Sequence, residues 1–305
     1  MYYIHSISSI THQDSFRTKN VCDHLTILEG ESDIVAPDFK EFIPPASLRR
    51  LSPVLRMGLA ASIECKNQIE TDFDAIVVGT GLGCLKDTEK FLSTFLTSTS
   101  DFLSPTAFIQ STHNTIGGQI SLGLGNHAYN MTHTQNNLSF EVSLLDAMML
   151  INEGKKNVLV GAADEKIDFL KEVQPTLIPD VFPLSSGASF FALQPAKSAV
   201  SIQAVSTNFN SENILSDIAA FLEIHEIEME DVDLLLHSND GLEEHFSPEN
   251  TINYLNYSGF HYSASAFALH IAHDYLVNED KSCALIVNDL CSTNVGLILV
   301  RRNEA

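Results

Sequence analysis

Residues 138–153 constrain this chain more than any other segment. They read Leu-Ser-Phe-Glu-Val-Ser-Leu-Leu-Asp-Ala-Met-Met-Leu-Ile-Asn-Glu. That pattern is apolar nearly all round, so a helix formed here has no wet face and must be buried. Two short runs bracket it, residues 74–79 (Asp-Ala-Ile-Val-Val-Gly) and residues 157–163 (Asn-Val-Leu-Val-Gly-Ala-Ala). Both are continuous and rich in β-branched residues, as parallel strands covered on both faces are. Strands alternating with helices predict α/β layering on a largely parallel or mixed sheet.

Along the chain, residues 1–10 read as a first strand and residues 11–45 as a long polar, acidic surface loop. Ser47 is expected to cap a helix with Leu48, Leu51, Leu55, Leu59 and Ile63 on one face. Helices follow at residues 86–97 and 115–124, a strand at 126–133, and a further strand at 187–193. After Pro195 the pattern restarts. Strands are expected at 198–207, 232–237, 283–288 and 295–301, and helices at 214–223, 248–257 and 265–276. The restart predicts two related halves, residues 1–195 and 196–305, and 44% hydrophobic content over 305 residues is enough for a large core.

Charge narrows the function. There are 39 acids against 17 bases, a formal charge of −22. Phosphate backbones and anionic membranes need clustered Lys and Arg, so a nucleic-acid or membrane-surface role is disfavoured. No run of about 18 apolar residues is present to span a bilayer. The opening Met1-Tyr2-Tyr3-Ile4-His5 lacks a basic leader, and five cysteines without CxxC spacing read as reduced thiols, so the expectation is a cytoplasmic protein without disulfide or metal. Gly79-Thr80-Gly81-Leu82-Gly83 lacks the spacing of a dinucleotide loop, and no cofactor is expected.

The order of several motifs resembles the β-ketoacyl synthases, the condensing enzymes of the thiolase-like group. Leu48-Arg49-Arg50-Leu51-Ser52-Pro53 resembles that family's basic opening of its first long helix. Ile76-Val77-Val78-Gly79-Thr80-Gly81 resembles its strand and Gly-Thr turn, and His113-Asn114 with Gly117-Gly118-Gln119-Ile120 its His-Asn element. Val160-Gly161-Ala162-Ala163-Asp164-Glu165 and Ser185-Ser186-Gly187-Ala188 resemble later strand ends. The resemblance spans nearly the whole chain. It implies a five-layered αβαβα fold built from two related halves, the second truncated.

The same frame locates the family's nucleophile. Counting back from Gly154 or forward from Asn130 puts its cysteine at Asn137, and a carboxamide cannot become a thiolate. A two-residue slip would place Gln135 there, but both flanks oppose it. Asn137 also reads simply as a helix N-cap. Of the family's two histidines, one falls on His237, without its Gly-Thr-x-Thr tail, and the other near His261, with one residue inserted and the lysine absent. The glycine-rich oxyanion loop is replaced by Asp289-Leu290-Cys291-Ser292-Thr293-Asn294. That loop supplies a backbone amide and needs glycine's dihedral freedom. Both histidines, and His113 with Asn114, also fit purely structural roles. Cys84 and Cys291 precede no nucleophile helix, and Met148-Met149 reads as core packing.

The resemblance therefore implies a non-catalytic partner subunit, most like the short chain-length-factor-type proteins of aryl polyene and flexirubin-type pathways. Its mate would be an active ketosynthase, joined through Tyr129, Asn130, Met131, Thr132, His133 and Thr134 in a strand running antiparallel to its counterpart. An acidic acyl carrier protein would dock mainly on that mate. Two other readings stay open: an acyltransferase or malonyl-carrier decarboxylase using His237 and His261, and a homodimeric acyl-chain-binding protein.

Overall fold

The structure is a computed structural model and describes residues 1–98, 103–177, 182–239, 241–245, 251–291 and 293–303. Ten strands form it: β1 Tyr2–Ile10, β2 Ala75–Gly79, β3 Tyr129–His133, β4 Val158–Asp164, β5 Gly187–Gln194, β6 Val200–Asn208, β7 Leu234–His237, β8 Thr251–Asn253, β9 Cys283–Cys291 and β10 Asn294–Arg302. The α-helices are α1 Pro45–Leu48, α2 Pro53–Asn67, α3 Leu85–Thr97, α4 Pro105–Gln110, α5 Thr115–Leu124, α6 Ser139–Asn152, α7 Asp168–Leu177, α8 Ile214–Ile224, α9 Leu255–Ser258 and α10 Ser265–Asn278.

The strand order is β3-β2-β4-β5-β1 and then β6-β10-β9-β7-β8. Read outward from the centre, the second set repeats the first with every number raised by five. The pairing senses repeat as well. β2 lies parallel to β3 and β4, with β5 antiparallel; β7 lies parallel to β8 and β9, with β10 antiparallel. Only Tyr2 and Tyr3 of β1, opposite Ile202 and Ser201 of β6, join the two sets.

Side-chain alternation along each strand sorts the core into layers. Val77 and Val160 face inward with Phe140 and Leu144 of α6, and Leu236, Ile286 and Ile298 face inward with Phe267 and Ile271 of α10. Ile76, Val78 and Phe190 face outward against Leu55, Leu59, Ile116 and Ile120 of α2 and α5. Leu235, Leu285 and Val287 face outward under Ile218, Phe221 and Leu222 of α8. The result is the five-layered αβαβα arrangement, with α6 and α10 as the filling between two half-sheets.

Three local expectations are corrected. Ser47 does not start the long helix; α1 ends at Leu48 and α2 begins at Pro53 after Ser52. Proline's ring disfavours helical dihedrals in the residue before it and serves well in a helix's first turn. The helix expected at 248–257 is instead strand β8 followed by the short α9, with residues 248–250 outside those described. The segment 11–45 is not all surface. Thr11, His12, Gln13, Ser15, Val21 and Ile43 are buried, and Gln13 Nε2 donates to the Thr26 and Tyr257 carbonyls, both at 2.8 Å. Helices α4 and α7 were not anticipated.

Phe140 is fully buried and stacks obliquely on Phe191, with ring centroids 5.8 Å apart. Phe140→Ala is expected to lower the unfolding free energy by about 3–5 kcal/mol, read from the urea midpoint at constant slope.

Candidate functional site

The chain leaves β3, turns at Gln135 and enters α6 through a 3₁₀ turn at Asn136–Leu138. Asn136 takes a left-handed conformation (φ +51°), which asparagine tolerates better than most residues. The Ser139 hydroxyl holds the bend: it accepts from the Gln135 N–H at 2.8 Å and lies 3.0 and 2.7 Å from the Thr80 and Asn136 carbonyls. Gly79 stands directly beneath. A Cβ there would meet the Ser139 carbonyl oxygen at 2.6 Å, so the close approach of strand and elbow requires glycine.

Asn137 is fully buried at this elbow. Its Nδ2 donates to the Asn294 carbonyl at 3.0 Å and reaches Asn288 Oδ1 at 3.4 Å. Asn288 answers from β9, its Nδ2 donating to the Asn137 carbonyl at 2.6 Å and to Glu141 Oε1 at 2.9 Å. Ser265 of α10 lies 3.4 Å from the same nitrogen. The elbow of the first half is thus tied to the β9–β10 hairpin and to α10 of the second. Burial pushes the Glu141 carboxyl up to about 7, although Asn288 and Ser265 oppose the shift.

The two histidines have different partners. His237 is fully buried at the end of β7, and its Nδ1–H donates to the Asn239 carbonyl at 2.7 Å. Next to it, Ser238 Oγ donates to Asp289 Oδ1 at 2.7 Å. His261 turns towards the start of β5 instead. Its Nδ1 lies 2.9 Å from Ser185 Oγ, and a Cβ on Gly187 would meet its Nε2 at 2.8 Å. Burial, with His12 nearby, drives the His261 ring down to about 3, so it stays neutral.

Several residues at the site were not singled out by sequence: Glu141, Ser265, Asn288 and, positively, Cys291. The Cys291 thiol lies by the Asn137 backbone N–H; burial raises its pKa and that N–H offsets part of the rise, so it is held as a thiol rather than a thiolate. An acid inside a largely apolar helix was a legible signal at Glu141. Ser292 of the replaced oxyanion loop lies outside the described residues. Behind the elbow, Asp164 accepts from Thr80 Oγ1 at 2.9 Å and from the Gly81 and Leu82 N–H groups at 3.1 and 3.0 Å. Glu165 caps α2 and α3 through the Val54 and Lys86 N–H groups at 3.3 and 3.0 Å. Among the described residues no group of three His, Cys, Asp or Glu could hold a metal ion, and no helix is long and apolar enough to cross a membrane.

Strand β3 ends the sheet, with β2 on one side and, among the described residues, no strand on the other. The Thr80 N–H donates to the His133 carbonyl at 3.1 Å. Alternation then turns the backbone N–H and C=O of Asn130 and Thr132 to the open edge. Apolar side chains flank that edge: Leu122 of α5 is 73% exposed, Met131 40% and Met149 of α6 61%. Met149 is therefore not core packing as its sequence context suggested; it stands on the one side of α6 that the fold leaves open.

A model of the β-ketoacyl synthase N-terminal domain matches residues 28–209. The chain belongs to the β-ketoacyl synthase family. A search of curated protein sequences gives no match. Among solved structures, the ishigamide ketosynthase/chain length factor superposes with a TM-score of 0.84 at 14% identity over 100% of both chains. A ketosynthase, ApeO, in complex with its chain length factor, ApeC, from Xenorhabdus doucetiae gives 0.61 at 15% identity over 99% of both. The 3-oxoacyl-[acyl-carrier-protein] synthase III of Aquifex aeolicus VF5 gives 0.60 at 15% over 99% of this chain and 100% of that one. These likenesses establish the thiolase-like fold.

The Glu141 carboxyl sets a pH dependence. Its folded pKa of about 7 stands above the ordinary 4.5, so the stability it permits is fully present below pH 4.5 and is lost as pH rises through 7. Glu141→Gln is expected to remove that loss. From pH 5 to pH 8 the variant should gain on the order of 2–3 kcal/mol relative to the unsubstituted chain, measured by urea unfolding at both pH values.

Proposed function

We propose that this chain is a chain-length-factor-type subunit, non-catalytic by itself, that mates with an active ketosynthase in the cytoplasm during polyene or fatty-acid-like chain building. One observation carries this reading. The elbow position that should hold a thiolate holds the Asn137 carboxamide, whose nitrogen is engaged by the Asn294 carbonyl and Asn288. A carboxamide forms no acyl-enzyme by thiolate attack. The glycine-free turn before β10 supports the same conclusion, because no permissive oxyanion loop accompanies the missing nucleophile.

The open edge of β3 supports the pairing. Residues Tyr129, Asn130, Met131, Thr132, His133 and Thr134 would run antiparallel to the equivalent strand of the mate, extending one sheet through both subunits and satisfying the backbone groups of Asn130 and Thr132. The carrier protein would dock mainly on the mate, since this chain carries a charge of −22. The repeated strand order supports halves dividing near residue 195, the second shorter.

The test combines intact mass with complex mass. The purified chain, incubated with acyl- and malonyl-loaded carrier protein, should gain no acyl adduct and release no acetyl group. Co-expressed with an active ketosynthase from the same organism, it should purify as a one-to-one heterodimer. An acyl adduct, acetyl release or failure to pair would overturn the reading. Asn137→Cys is expected to leave the chain without condensing activity in the same assay, because the residues around β9 and β10 still lack the glycine-built oxyanion site.

A further inference from the structure

Asp146 of α6 is placed over the middle of the open edge strand. Its Oδ2 accepts from Tyr129 Oη at 3.0 Å and lies 2.9 Å from His133 Nε2. Tyr129 and His133 flank Met131 by two positions on either side. All three side chains point to the same face of β3, so the carboxylate is held above Met131. It is not sealed in: the Asp146 side chain is 17% exposed and that of His133 22%.

The geometry of sheet extension makes this position special. The outward backbone groups belong to Asn130 and Thr132. A register that uses both pairs Asn130 with Thr132 of the mate and sets Met131 opposite its counterpart. The two-fold axis of such a pair runs perpendicular to the sheet through that point, so both α6 helices lie on the same face. In an isologous interface a residue on the axis meets its own copy. Self-pairing would therefore set the Asp146 carboxylate of one chain against that of the other, within two chains that each carry −22. Like charges directly opposed at a forming interface are destabilising. The surrounding side chains are not selective in that way. Leu122, Met131 and Met149 supply apolar area to any complementary surface.

On the reading of β3 as the mating strand, we propose that Asp146 is the partner-selecting residue: it bars this chain from pairing with itself and selects a non-identical chain of the same fold that presents a cationic side chain opposite it. Tyr129 and His133 are the positioning residues that keep the carboxylate over the axis. The apolar flank makes pairing favourable, and the central charge decides with whom.

A cross-linking series on the full chain tests this. Met131→Cys reports antiparallel pairing, because opposed cysteines at the axis can oxidise to a disulfide. With Asp146 intact the reporter chain should remain monomeric in sedimentation velocity and resist oxidative dimerisation. Adding Asp146→Asn, which keeps an acceptor for Tyr129, should allow self-cross-linking. Mixing the reporter chain with the reporter carrying Asp146→Lys should give mixed dimers with an association constant at least about tenfold above either chain alone, a difference of about 1.4 kcal/mol. Thermal unfolding of each variant confirms that it is folded. Self-cross-linking with Asp146 in place, or a mixture no better than its components, would overturn the assignment. A reporter that cross-links neither to itself nor to a co-expressed ketosynthase carrying a cysteine at the opposed position of its own edge strand, in any background, would instead overturn the reading of β3 as the mating strand.

Discussion

Burial of two helices between two half-sheets is the constraint from which the rest of this structure follows. α6 and α10 are covered from both sides, by Val77 and Val160 of one half and by Ile286 and Ile298 of the other. Neither half could bury its inner face alone. β1 and β6 contribute only two residue pairs to the junction, so side-chain packing rather than strand pairing holds the halves together. The elbow at Asn137 enters α6 at its buried end, and this is why the site sits deep at the boundary of the two halves.

Polar groups trapped at that boundary must find partners there. Asn137, Asn288, Glu141 and Ser265 come from both halves and hydrogen-bond to one another. In a condensing enzyme the same location would keep a reactive sulfur and an open oxyanion site. Here the amides knit the elbow to the β9–β10 hairpin. An open feature of the scaffold is the edge of β3, where backbone donors and acceptors meet solvent beside exposed Leu122, Met131 and Met149.

Strands and helices were legible where periodicity was strong. Residues 115–124 and the strands around 76–79, 158–164 and 187–194 stand where their patterns place them, because continuous apolar runs leave few alternatives. Boundaries failed at Pro53, where a turn interrupts an apolar face that looks continuous, and near residue 251, where a short strand hides in a polar stretch. Met149 failed for a different reason: helical periodicity records hydrophobicity, not whether a neighbouring layer exists to cover it.

The sequence by itself determined the layered fold, the duplication of its pattern and the absence of a thiol at position 137, since each is written in local residue types and spacing. Only the tertiary structure decided that His261 bonds Ser185, that Glu141 and Asn288 complete the elbow, that Cys291 lies by the Asn137 amide, and that Asp146 stands over the open strand. Those facts rest on contacts between residues up to about 150 positions apart, as with Asn137 and Asn288. Such contacts depend on how the two halves close around the shared helices, and no local pattern encodes that.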